Sequence, residues 1–207
     1  MPGTNTVSEP QVSRIKTYIQ SCLDLPEQEL DDISKQFESR TIPRKTLLLK
    51  AGDICTFEGF IKKGCVKTYF IDDKDREVIL TLATENWWVS DLISFEEKIK
   101  SHMFIETIED TELLLLTPAT KNDLLKKYPA LEKMFRHIVQ RHLRTYQERR
   151  YANSALSAEA RYAEFLAKYP LLVQRVPQML IASYLGMSAE SLSRIRSKQS
   201  KKQTSFS

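Results

Sequence analysis

The chain has 207 residues, 42% of them apolar, and its 31 lysines and arginines against 27 acidic residues leave a formal charge of +4. That length supports one large domain or two small ones with a proper core, and no uncharged apolar run approaches the roughly eighteen residues of a membrane span. The opening "MPGTNTVSEPQVSR" lacks the basic start and apolar run of a signal peptide, and three scattered cysteines without a CxxC pair fit free thiols in a reducing, cytoplasmic setting.

In chain order, "VSRIKTYIQSCLDL" and "LPEQELDDISKQFESR" space apolar residues three and four apart, which predicts two helices. Pro26 and the acids after it suit a helix first turn. From Thr41 to Thr117 the texture changes. "KTLLLKAGD", "TFEGFIKKG", "CVKTYFIDDKD", "REVILTLA", "HMFIETIEDT" and "ELLLLTP" are short β-rich runs separated by turn residues. Such spacing predicts an antiparallel sandwich or jelly roll. Gly52, Gly59, Gly64 and Gly186 stand where tight backbone geometry is needed.

After Pro118 the pattern is helical. "TKNDLLKKY" is a short helix, and "ALEKMFRHIVQRHLRTYQERRYA" runs on without Gly or Pro. Leu131, Phe135, Ile138 and His142, with Met134, Val139, Leu143 and Tyr146 beside them, form an apolar stripe that needs a partner. The partner is either the rest of the chain or the same helix of a second copy. "NSALSAEARYAEFLAKYP" starts another helix with Ser154 or Ser157 as cap. "LLVQRVPQ" reads as an extended link, and the final "SKKQTSFS" as a frayed tail.

In "MLIASYLGMSAESLSRIRSK" two short amphipathic helices meet at Gly186, where the first must stop and the chain reverse through left-handed space. Leu180, Ile181, Tyr184 and Leu185 face Leu192 and Ile195 across the corner. Ala182 allows close approach, Met187 plugs the turn and Ser188 caps the second helix. This is the sequence logic of a helix-turn-helix. Its outward face carries Ala189, Glu190, Ser191, Ser193 and Arg194, with Arg196 to the side and Gln178 at the start of the first helix. Such a helix enters the major groove, where Arg194 can donate twice to guanine and Glu190 accept from cytosine. A surface ion pair between Glu190 and Arg194, four apart, is the plainer alternative. Charge points the same way. Residues 1–120 carry 14 basic and 21 acidic side chains, a balance of −7, and residues 121–207 carry 17 and 6, a balance of +11. A basic C-terminal part suits a polyanion, or solvated helix faces that happen to be basic.

The order of parts resembles the Crp/Fnr family of bacterial transcription regulators, most specifically in "LLLKAGD", "GFIKKGCVKTYF", "SDLISF" and "IASYLGMSAESLSRIR". The resemblance runs roughly from Leu25 to Lys198. It implies an α+β chain with an N-terminal antiparallel, jelly-roll-like β-roll as effector domain over 1–118. A long connecting and dimerisation helix follows over 119–153, and an all-α helix-turn-helix domain over 154–207. The implied partners are a pseudo-palindromic double-stranded DNA, a second copy of the chain, RNA polymerase and an unidentified small-molecule effector. No cofactor, metal or catalytic residue is implied.

The chain departs from the family in two places. The cyclic-nucleotide cassette reads Gly-Glu and then Arg-Ser-Ala, whereas "WWVSDLISFEEKIKSHMFIET" has Ser90-Asp91 and Ser101-His102-Met103. Without the arginine a cyclic phosphate loses its bidentate partner, so the effector is not expected to be cyclic AMP. The pocket set is Trp88, Ser90, Asp91, Ser101 and His102, holding another ligand or packed shut, with Trp87 and Trp88 read first as core anchors and only second as stacking platforms. The β-hairpin wing that usually follows the recognition helix is not legible after Lys198. No HExxH, GxSxG, Walker or GxGxxG motif points to an enzyme. The rival is a sensory ligand- or protein-binding module that has lost DNA binding.

Overall fold

The computed structural model describes residues 9–204, with side chains from 14 to 199. Two helices, α1 (Glu9–Cys22) and α2 (Glu27–Lys35), precede β1 (Glu38–Ile42), β2 (Leu47–Leu49), β3 (Glu58–Lys63), β4 (Val66–Ile71), β5 (Glu77–Ala83) and β6 (Trp88–Val89). A short α3 (Leu92–Glu97) leads to β7 (Phe104–Thr107) and β8 (Thr111–Leu116). The rest is helical: α4 (Pro118–Lys127), α5 (Leu131–Ala155), α6 (Ala158–Lys168), α7 (Leu172–Arg175), α8 (Gln178–Tyr184) and α9 (Ala189–Thr204).

Two features differ from the sequence expectation. "LLVQRVPQ" is not wholly extended, because Leu172–Arg175 closes one helical turn that buries Leu172. The tail expected to fray from Ser200 is helical as far as Thr204, and its last three residues lie outside the described residues. Among the described residues no strand follows it.

The strands form two four-stranded sheets, ordered β1-β8-β3-β6 and β2-β7-β4-β5. In the first, β8 lies antiparallel between β1 and β3, with Leu114 opposite Ser39 and Phe60. Its inner strands β3 and β8 are buried on both faces, which explains the unbroken leucines of "TELLLL", while the edge strand β1 stays largely exposed. Leu114 and Leu116, with Phe60 and Trp88, meet Ile15, Ile19, Leu30, Ile33, Phe135 and Ile138. Their chain neighbours Leu113, Ile61 and Val89 turn the other way, into a second core with Leu49, Cys55, Val66, Phe95 and Ile105. Gly64 has φ +112°, and a Cβ there would stand 2.7 Å from the Thr111 backbone, so the tight β3–β4 corner excludes other residues.

The described chain divides into two compact units, residues 1–70 with 82–140, and residues 71–81 with 141–207. This division by compactness is distinct from the three-part layout with borders at 118 and 153. It cuts α5 after residue 140, and the tip of the β4–β5 hairpin belongs with the C-terminal helices. In that helical unit Ser157 caps α6 by accepting from the Ala160 amide at 3.2 Å. Tyr162, Phe165, Leu172, Val176, Ile181, Tyr184, Leu192 and Ile195 are among its buried side chains.

One buried charge pair ties three elements of the first unit. Lys121 on α4 reaches Glu58 on β3 at 3.2 Å and Glu96 on α3 at 2.7 Å, and its ammonium lies 4.6 Å from the Phe135 ring centroid. Burial pushes the Glu58 carboxyl above its ordinary range, against the pull of Lys121. Removing the cation strands a buried carboxylate. Lys121→Met is therefore expected to cost about 3 kcal/mol in urea denaturation at neutral pH, with Glu58→Gln in the same chain restoring part of it. A carboxyl whose folded pKa lies above the ordinary 4.5 binds protons more tightly when folded, so the single variant should lose stability as pH rises from that value.

Candidate nucleic-acid interface

The interface begins with how α8 ends. Leu185 donates its amide to Ile181 at 2.9 Å, Gly186 to Ser183 at 3.1 Å and Met187 to Ala182 at 3.0 Å. The last two bonds form a Schellman motif, which needs a left-handed residue at the glycine position, and Gly186 has φ +64°. The chain then turns straight into α9, whose first free amide is met by the Ser188 side chain, accepting from Ser191 N at 3.1 Å. Leu192 and Ile195 are buried at 1% and 4% exposure, and Ala182 at 1%, so the inner faces of α8 and α9 close on each other.

The outer face of α9 is what remains. Gln178, Ser188, Ala189, Glu190, Ser193 and Arg194 are exposed, and Ser191 and Arg196 half-buried. Arg194 donates from Nη2 to Ser191 Oγ at 3.3 Å, which holds the guanidinium over the first turn. Glu190 sits at the helix N-terminus. Its own backbone amide, the Ser188 hydroxyl and the charge of Arg194 hold its carboxyl below the usual range. The residues read from sequence as one DNA-facing set thus lie together at one end of one helix, with Gln178 at the start of α8.

The cassette in the other unit is arranged differently. Asp91 caps α3, accepting from Ser94 N at 3.2 Å through one oxygen and from the Ser101 hydroxyl at 2.7 Å through the other. Ser101 Oγ accepts in turn from Met103 N at 2.9 Å. Ser94 Oγ donates to Ile99 O at 2.6 Å and accepts from Cys55 N at 2.8 Å. Ser90 donates to Phe57 O at 2.9 Å. Asp91 and Ser101 are buried, and their hydrogen bond joins the start of α3 to the segment before β7. Lys98 and Lys100 point to solvent.

Two members of the expected pocket set are elsewhere. Strand alternation turns Val89 toward the cassette core and Trp88 to the opposite face, where it packs against Phe60 and Phe135 with ring centroids 5.5 and 6.1 Å away. His102 is exposed. The structure brings together Ser90, Asp91 and Ser101 alone of that set. Among the described residues no group of three or more His, Cys, Asp or Glu is placed to hold a metal, and no helix is long and apolar enough to cross a membrane.

Sequence reasoning missed one constellation. β5 is an edge strand, and its tip is occupied by side chains of the helical unit. Ser183 on α8 accepts from Ile79 N at 3.1 Å and donates to Glu77 O at 3.0 Å, taking the place of a neighbouring strand. Arg149 on α5 donates to Ile79 O at 2.8 Å and to Leu80 O, and its guanidinium lies 4.6 Å from the Tyr184 ring centroid. The edge groups that usually invite another chain are thereby satisfied. Neither residue carries a local signal, because both act across about seventy residues or more of sequence.

No family model matches the chain. An anaerobic regulatory protein of Pasteurella multocida is 26% identical over 188 residues, which cover 83% of this chain and 66% of the relative. The chain thus spans just under two thirds of that relative's length. Among solved structures, a c-di-GMP-responsive global regulator from Xanthomonas campestris superposes with a TM-score of 0.69 at 17% identity, over 86% of this chain and 93% of that one. A protein of Eubacterium rectale assigned to the crp/fnr family gives 0.68 at 19%, over 89% and 88%.

The helix-turn-helix makes its own demand. The atoms nearest a Cβ at Gly186 belong to the Asn153 side chain, at 3.5 Å and beyond, which is ordinary contact, so the penalty there is mainly backbone strain. Gly186→Ala should cost about 1–2 kcal/mol in thermal or urea denaturation. Gly186→Asn should cost clearly less, since asparagine tolerates left-handed backbone.

Proposed function

We propose that this chain, related in sequence to anaerobic regulatory proteins and built on the fold of the Crp/Fnr regulators, is a DNA-binding transcription regulator of that type and not an enzyme. The observation that carries this reading is the α9 face. A serine-capped helix stands on a Schellman corner, with Glu190 and Arg194 exposed at its groove-entering end and apolar residues confined to the inner side. A helix whose polar residues merely solvate its surface has no need to gather a guanidinium, a carboxylate and small serines over its first two turns. The serines let the backbone approach phosphates, while Arg194 and Glu190 reach base edges.

The functional form is a homodimer. Val139, Leu143 and Tyr146 recur four and three apart along α5 and remain 48%, 55% and 43% exposed. A helix of this length leaves such a stripe for a second helix. Two recognition helices related by a two-fold axis read a pseudo-palindromic operator. The effector is not cyclic AMP. A cyclic phosphate would have to break the Asp91–Ser101 bond and then sit against the Asp91 carboxylate with no arginine to pair it.

Salt and base preference test the reading together. Fluorescence anisotropy with duplex DNA should give an affinity that falls linearly with salt on logarithmic axes, by counterion release. Arg194→Ala should cost about 1–3 kcal/mol on a preferred duplex and flatten discrimination among duplexes. Lys198→Ala should instead weaken all duplexes alike. No duplex binding at low salt would favour a sensory module without DNA binding.

A further inference from the structure

The helical unit holds a cavity of about 290 Å³ between the end of α5, α6 and the end of α8. One wall is aromatic: Phe165 lies 5.4 Å from Tyr169 and 5.7 Å from Tyr184, centroid to centroid. Three basic side chains line it, Arg149, Arg161 and Lys168, against two carboxylates, Glu148 and Glu164. The two carboxylates do not use up the cations. Lys168 is paired with Glu148 at the rim, both half-exposed. Arg149 spends its guanidinium on the carbonyls of β5. Arg161 donates from Nη1 to Asn153 O at 3.3 Å and Leu156 O at 3.2 Å, yet its Nε is buried with no hydrogen-bond partner. A buried charged donor left unpaired is costly, and native proteins keep such groups where something else supplies the acceptor.

We propose that this cavity binds a small aromatic carboxylate, one or two rings in size. Its ring stacks on the Phe165–Tyr169–Tyr184 wall and its carboxylate pairs with the Arg161 guanidinium that lines the cavity, with Lys168 as second cation. An apolar cleft of this size with a few convergent polar groups is the ordinary form of a small-molecule site. The position gives it a consequence: Tyr184 and Leu185 form the last turn before Gly186, so an occupant touches the element that aims α9. The cassette of the β-roll, closed by Asp91 and Ser101, leaves the effector role open. That the occupant alters operator affinity rests on the regulator reading above; that it binds does not.

Isothermal titration of the full chain, without DNA, with benzoate, naphthoate and indoleacetate separates the two. At least one should bind with a dissociation constant between about 1 μM and 1 mM, and the matching neutral alcohol at least about tenfold more weakly. Ala152→Trp, which fills the cavity from α5, should abolish binding while the melting temperature is kept. Lys168→Met should weaken the carboxylate several-fold and leave the alcohol unchanged. No binding by any of the three acids, or equal binding by wild type and Ala152→Trp, overturns the site. Neither result touches the DNA reading, which the anisotropy measurement decides by itself.

Discussion

The left-handed turn at Gly186 is the constraint on which the working end of this protein depends. It lets the amides of Gly186 and Met187 satisfy the carbonyls of Ser183 and Ala182 and stop α8 after two turns. The second helix then starts at once, and Leu192 and Ile195 fold back onto α8. Burying each of those side chains contributes about 1.5–3 kcal/mol, enough to fix the helix against thermal motion. Once the apolar side is fixed inward, Ala189, Glu190, Ser193 and Arg194 have only solvent, or a groove, to face. Function follows from what packing leaves over.

The same fold gives the β-roll a different character. Its inner strands are buried on both faces, with Trp88 and Leu114 toward the helices and Val89 and Leu113 toward the cassette. Within it the Asp91 carboxylate is a helix cap and a serine partner at once, so its lone pairs serve the protein's own architecture. A cassette whose polar groups bond one another has little free energy to gain from a phosphate that must first break those bonds. The unpaired donor of Arg161, by contrast, lies in the helical unit.

Much of this was legible beforehand, for local reasons. A helix-turn-helix is written in consecutive residues: a glycine where φ must be positive, a serine one residue before the second helix, apolar residues three and four apart. The β-roll shows through its turn spacing, and the losses in the cassette through single substitutions. What stayed hidden is long-range or two-sided. Trp88 reads first as a core anchor, and only pairing of β6 with β3 fixes which of the two cores it enters. Ser183 and Arg149 look like ordinary helix residues, because the backbone groups they hold come from residues 77–80. The turn at Leu172–Arg175 lies in a stretch whose prolines suggest extension, and tertiary burial of Leu172 overrides them. His102, Lys98 and Lys100 are exposed and take no part in the cassette's hydrogen bonds.

Selection of genomic DNA fragments by the purified full-length protein at low salt tests the central claim most directly. A paired protein reading DNA through α9 predicts an enriched inverted repeat whose half-site centres lie about one helical turn, roughly 10 base pairs, apart. Recovery of fragments with no shared sequence, or of none above background, would contradict it.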